Sequence, residues 1–177
     1  MELMEAMRKR RSTRQYTNQK VDRELIKELI DAALLAPSWR NSQVCRYYVV
    51  QDVEQLSHLK LMLGEFNYNN VKDVSLLIVG TIVANNSGYT NDGNPANEIG
   101  NGWGCYDAGM QHMNLLLKAN ELGLSTLVMG IRDENKIREL LEIPDNEMLL
   151  SVISVGYSDL TKDMPKRKTV EDITKWF

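Results

Sequence analysis

The chain has little with which to build a metal centre, a disulfide scaffold or a membrane span. Two cysteines, Cys45 and Cys105, and two histidines, His58 and His112, occur in 177 residues. The cysteines lie far apart and outside any C-x-x-C spacing, which fits reduced core thiols better than a cross-linked framework or a zinc ribbon. Neither histidine stands in ligand spacing, so both are read as structural or surface residues and no metal is expected. No apolar run approaches the roughly 18 residues of a spanning helix, and the opening MELMEAMRKRRS lacks an uninterrupted signal-peptide core. A cytoplasmic protein with no membrane partner is expected. Basic residues are not in excess either: 21 Lys and Arg against 24 Asp and Glu leave a net charge of -3, which argues against a nucleic-acid partner. Internal repeats, low-complexity tracts and linkers are also missing, so residues 1–177 read as one domain.

What is present is a strong run of helices and strands. The longest helical pattern is Asp107 to Leu122, where Ala108, Met110, Met113, Leu115, Leu116, Leu117, Ala119 and Leu122 point nearly all round and so require cover on most sides. Gly123 supplies a left-handed stop, and Leu124 to Met129 reads as a buried strand closed by Gly130. Before this pair come a short helix over Glu2 to Lys9 and a helix opened by Asp22, with Val21 stapled to Ile26 and Pro37 beyond its end. A strand follows over Arg46 to Gln51. Asp52 then caps a helix reaching about Met62, with Gln55 at the capping-box position, and Val74 to Val83 is a second strand. After Gly130 the pattern predicts a helix over Asp133 to Leu141, a strand over Met148 to Tyr157, and a Thr169-capped helix over Val170 to Trp176. Helices and strands mix without a strict βαβ rhythm, so the class is α+β. Residues 84–102 are rich in Asn and Gly and show no period; so long a loop reads as a lid or a surface excursion.

Three polar clusters stand out. Arg8 to Arg11 fall where cations complement the end of a helix, but the continuation Arg11-Ser12-Thr13-Arg14 places guanidinium groups around hydroxyls in a pattern that also suits a phosphate. Ala36-Pro37-Ser38-Trp39-Arg40-Asn41-Ser42-Gln43 is either a solvated turn or a set of amides and hydroxyls for a polar heteroaromatic ring. Lys166-Arg167-Lys168, taken alone, reads as a solvated face.

The order and spacing of these clusters around the Asp107 to Gly130 helix and strand resemble the FMN-dependent nitroreductase family over most of the chain, residues 84–102 apart. The resemblance implies a nitroreductase-like fold, with a central, mostly antiparallel mixed sheet flanked by helices in an intertwined homodimer. It implies that Arg10, Ser12 and Arg167 or Lys168 hold the FMN phosphate, that Arg11 follows the cofactor's edge, and that Arg14 lies beside N1 and O2. Pro37, Ser38, Trp39 and Asn41, with Gln43 nearby, would reach the FMN held mainly by the other subunit. Met129 and Gly130 would turn backbone N–H groups toward N5 and O4, and Asn67 would contact the ring. The implied activity is ping-pong reduction of a nitroaromatic, quinone or similar electron-poor small molecule by NAD(P)H, with no side-chain catalyst; a non-catalytic or sensory FMN-binding dimer is the alternative. The chain departs from the family pattern at Trp39 and Arg40, where small residues are frequent, and at Val44-Cys45, where Pro-Trp is usual. It also ends at Phe177, which leaves little length for a C-terminal arm.

Overall fold

The computed structural model describes residues Met1–Phe177. Four strands, β1 (Cys45–Val50), β2 (Leu77–Val83), β3 (Ser125–Met129) and β4 (Glu147–Gly156), form one sheet in the order β1-β2-β4-β3. Every strand pair is antiparallel; the parallel element is an isolated bridge between Ser12 and Thr126 on the open edge of β3. Seven helices surround the sheet: α1 (Leu3–Lys9), α2 (Arg23–Leu34), α3 (Val53–Leu61), α4 (Gly64–Val71), α5 (Gly102–Glu121), α6 (Glu134–Leu141) and α7 (Val170–Ile173). None is long and apolar enough to cross a membrane.

The alternation of side chains along β2 and β4 divides the core in two. Leu77, Val79 and Val152 face α3, α4 and α6 through Leu59, Val71 and Ile137. Ile78, Ile153 and Val155 face α2 and α5 through Leu29, Ala33, Leu115 and Ala119. The α+β layering is therefore as expected from the sequence.

Several local expectations need correction. Asp22 stands at the start of α2, but its side chain makes no capping bond; the helix is held by Ile26 and Leu29 in the core beside Val21. Asp52 does cap α3, accepting the N–H groups of Glu54 and Gln55 at 3.1 and 3.0 Å. Helix α4 is absent from the sequence reading, because GEFNYNNV carries no apolar stripe; burial of Asn67 and Val71 holds it in place. The Thr169 capping box forms with Asp172, yet the last helix stops at Ile173 rather than Trp176. A helix so short with no buried residue has nothing to propagate it. Cys45 is buried as expected, whereas Cys105 is exposed and is not a core thiol.

The largest correction concerns α5. It begins at Gly102, five residues before Asp107, since Gly104 lets the helix lie directly on β2: a Cβ there would meet Ile82 Cδ1 at 2.7 Å. Its buried stripe is Gly104, Asp107, Ala108, Gln111, His112, Leu115 and Ala119. Polar side chains thus point inward, and Tyr106 and Met113 point out, at 63% and 39% exposed.

His112 rests on Gly80, where a Cβ would lie 2.8 Å from Nε2. That Nε2 has no partner, and burial pushes the imidazole pKa down to about 4. The ring is therefore neutral in the folded state, and its native pKa lies below its unfolded one. The sign follows: stability is complete above about pH 6.5 and declines as pH falls toward 4, by up to about 3 kcal/mol. Urea titrations should show this slope in the wild type and lose it in H112Q; a slope retained in H112Q would assign it to other groups. Gly80→Ala should cost about 1–3 kcal/mol at neutral pH through overpacking.

Candidate functional site

Two polar features lie along the single strand β3. At its start, Thr13 donates its N–H to Thr126 O at 2.9 Å beside the Ser12–Thr126 bridge. Tyr16 secures the same segment, donating its hydroxyl to Thr13 O at 3.0 Å and meeting Ser154 Oγ at 2.8 Å. This holds Arg10, Arg11 and Thr13 around a cleft of about 160 Å³ shared with Asn120, Ser125 and Thr126. Burial, and then the charges of Arg167 and Arg11, hold the Arg10 guanidinium below the usual arginine range. Arg167 from the C-terminal segment has therefore come within electrostatic reach of Arg10. None of Arg10, Arg11, Arg14 or Arg167 has a carboxylate partner. Arg11 Nη1 donates to the carbonyls of Arg8 and Arg10, each at 2.7 Å, and its Nε is buried with no partner. Arg14 lies over Ser12 O at 3.4 Å. Lys168 is exposed.

At the far end of β3, Met129 is buried in the core and Gly130 is exposed. The N–H groups of Gly130, Ile131 and Arg132 bond to no protein acceptor, and the next, Asp133, donates to Met62 O at 2.7 Å. Asn67 is brought to this turn from α4, donating Nδ2 to Ile131 O at 3.0 Å. Four residues of strand separate Thr126 from Gly130, about 13 Å at the usual rise.

The loop after α2 is elsewhere. It contains a 3-10 turn, Trp39–Asn41, and carries positive φ at Arg40 and Asn41 within that turn and at Gln43 beyond it, of 47°, 56° and 47°. Non-glycine residues are uncommon there, and three in one loop must be held by their surroundings. The hold is Asp107 on α5: its two oxygens accept the Trp39 N–H at 3.2 and 3.1 Å, and Oδ2 also accepts Ser87 Oγ–H at 2.6 Å. Ser38 Oγ accepts the Gln43 N–H at 3.0 Å. The Trp39 ring packs on Trp103 at 4.8 Å between centroids, with the Arg40 guanidinium 6.0 Å from its own centroid. Pro37 is exposed at the start of the loop.

Residues 84–102 brace this arrangement. Asn85 and Asn101 exchange bonds of 2.7 and 3.0 Å, Tyr89 bridges Pro95, and Trp103 Nε1 donates to Asn97 Oδ1 at 2.9 Å.

The expected site residues thus form three groups. Arg10 to Arg14 with Arg167, and Asn67 with Met129 and Gly130, lie at the two ends of β3. Pro37 to Gln43 lie near Asp107, whereas Asn120, at the other end of α5, donates to Ala6 O at 3.2 Å on the arginine side. Thirteen residues of helix separate Asp107 from Asn120, about 20 Å. Asp107, Trp103 and Arg132 were missed by the sequence reading; the one available signal, for Asp107, was an acid in the N-terminal part of α5, whose other acid, Glu121, lies at its last residue.

The sequence profile of the Nitroreductase family matches residues 7–157. The chain belongs to this family. A protein of Archaeoglobus fulgidus, provisionally named NADH dehydrogenase/NAD(P)H nitroreductase, is 34% identical over 159 residues, covering 87% of this chain and 84% of that protein. The FMN reductase [NAD(P)H] of Bacillus subtilis is 28% identical over 163 residues, covering 88% of this chain and 66% of its own. Among solved structures, a nitroreductase family protein of Streptococcus pneumoniae superposes with a TM-score of 0.86 at 24% identity, over 99% of this chain and 100% of that one. The nitroreductase fold is therefore shared.

If Asp107 is the anchor of the Trp39 loop, Asp107→Asn sets an amide against two donors. The variant should lose about 1–3 kcal/mol of stability and the near-ultraviolet circular dichroism of the Trp39–Trp103 pair. A variant keeping both would show that the loop is held otherwise.

Proposed function

We propose that this nitroreductase-family chain is an FMN-dependent oxidoreductase that takes electrons from NADH or NADPH and passes them, in a ping-pong cycle, to a flat electron-poor acceptor such as a nitroaromatic or quinone. The observation that carries the reading is the pair of features on β3: uncompensated guanidinium groups at one end and three unpaired N–H groups at the other. A phosphate suits the first, because arginine offers charge-assisted, bidentate bonds. The acceptor edge of a polar fused ring suits the second. FMN joins the two across a ribityl chain, and the residues present fit it. The names of the Archaeoglobus and Bacillus relatives agree with such chemistry.

When bound, FMN supplies the hydride-accepting ring position and the two-electron store. The protein's part is binding and electrostatics. Arg10, Arg11 and Arg167, with Ser12, would hold the phosphate, and Arg14 would serve the ring. The N–H groups of residues 130–132 would favour negative charge on a ring bound beside them, and Asn67 holds the turn that carries them. No side-chain acid or nucleophile is required.

The remaining group, Pro37 to Gln43, is about 20 Å away along α5 within one protomer. A two-fold axis across α5 sets two copies antiparallel, which brings the Asp107 end of one beside the Asn120 end of the other. The exposed Tyr106 and Met113 and half-buried Met110 and Leu117 supply an apolar face for that contact. The loop then completes the partner's site as Trp39, Asn41 and Gln43 reach across. Residues 158–177 are exposed apart from Ser158 and Thr174, with Ile173, Trp176 and Phe177 at 71%, 84% and 115%, and add further apolar surface for a second copy.

Purified protein should carry or bind FMN, run as a dimer in light scattering, and bleach anaerobically with NADH or NADPH. A colourless protein that takes up no FMN would sink the reading. Bound FMN that neither nucleotide reduces would instead make this a non-catalytic binding dimer. Arg10→Gln should weaken FMN roughly ten- to a hundredfold and leave riboflavin, which lacks the phosphate, nearly unchanged.

A further inference from the structure

The turn after β3 is held by its carbonyls. Arg132 Nη1 donates to Gly130 O at 2.7 Å, and Nη2 donates to Leu149 O on β4. Asn67 holds Ile131 O. A peptide unit is planar and trans, so its carbonyl and N–H point in opposite directions. Fixing Gly130 O therefore aims the Ile131 N–H away from Arg132, and fixing Ile131 O aims the Arg132 N–H away from Asn67. Both N–H groups are left without a protein acceptor.

The two clamps differ in kind. Asn67 is neutral, whereas Arg132 brings a positive charge with its side chain only 17% exposed, and its Nε is buried without a partner. The Glu134 carboxylate lies 3.8 Å from Nη2, but Glu134 is also bonded to Arg138 Nε at 3.0 Å. A charged donor on a carbonyl oxygen draws electron density out of the amide and strengthens its N–H as a donor, and hydrogen bonds in series reinforce one another.

We propose that Arg132 is a positioning residue for the redox reaction: it orients and polarises the Gly130–Ile131 peptide so that the Ile131 N–H favours the reduced, more negative form of the bound ring. The inference rests on the FMN reading above. Arg132 itself touches neither cofactor nor acceptor. It acts through the peptide, and its effect falls on the balance between oxidised and reduced cofactor rather than on binding as such.

The test is the midpoint potential of FMN in the holoenzyme, set beside the dissociation constant of oxidised FMN, for the wild type, R132Q and R132K. In R132Q the reduced-to-oxidised affinity ratio should fall at least tenfold, a potential about 30 mV more negative for a two-electron couple. Oxidised FMN should bind within about threefold of wild type, well under the tenfold that corresponds to 1.4 kcal/mol. R132K, which keeps the charge but cannot reach both carbonyls as a fork, should lie between the two. A folded R132Q with an unchanged potential, or one losing oxidised and reduced affinity equally, overturns the proposal. Should R132Q fail to fold, R132K decides the matter, and a wild-type potential in it counts against the role. If the wild type binds no FMN, the cofactor reading fails and this inference with it. If the wild type binds FMN and the potentials do not move, this inference alone fails.

Discussion

The structure depends on a short piece of backbone pairing. Ser12 and Thr13 lie against Thr126 on the open edge of β3, and Tyr16 locks them there through Thr13 O and Ser154. An unpaired strand edge would otherwise present free donors and acceptors to solvent or to another chain. Covering it with the segment after α1 draws the arginine cluster to the start of β3. The same strand ends at Gly130, with its unpaired N–H groups. Both ends of the candidate cofactor site are therefore set by one rigid element, and their separation follows from strand geometry rather than from the conformation of a loop.

The second constraint is the polarity of α5. Its inward stripe includes Asp107, Gln111 and His112, and each has a structural task or a tight seat. Asp107 holds the Trp39 loop and Ser87, Gln111 accepts the Tyr47 hydroxyl at 3.0 Å, and His112 lies over Gly80. The Asp107 charge, after burial, also helps to push the Cys45 thiol up to about 12, so this cysteine is inert packing. With polar groups turned inward, apolar surface is left on the outside of the helix. That surface follows from the orientation of α5, the distance between the loop and the arginine cluster follows from its length, and the two-subunit site proposed above accounts for both.

Much of this was legible in the sequence, for identifiable reasons. The strands Leu77–Val83 and Glu147–Gly156 are dense in Val, Ile and Leu between turn signals, and Asp52 and Thr169 cap helices as their positions suggest. Gly123, at φ 75°, stops α5 as expected. Helix α4 was not legible, because Gly, Asn and Tyr carry no helical stripe and tertiary burial of Asn67 and Val71 overrides propensity. The start of α5 was hidden by Gly104, whose value is close approach to β2, which no periodicity records. In the site, the arginine cluster and the Pro37 to Gln43 loop were visible as composition. Arg132 was not, since nothing local shows that a lone arginine after a glycine turn reaches back to the carbonyls of Gly130 and Leu149.

The claim that β3 presents both ends of one ligand site can be read directly from backbone amide resonances in ¹⁵N-labelled, FMN-free protein titrated with FMN or with riboflavin. FMN should shift the amides of Gly130, Ile131 and Arg132 together with those of Arg11 to Thr13, and riboflavin should shift the first group while leaving the second nearly still. Shifts confined to other elements, or a turn at residues 130–132 that ignores both ligands, would contradict the account.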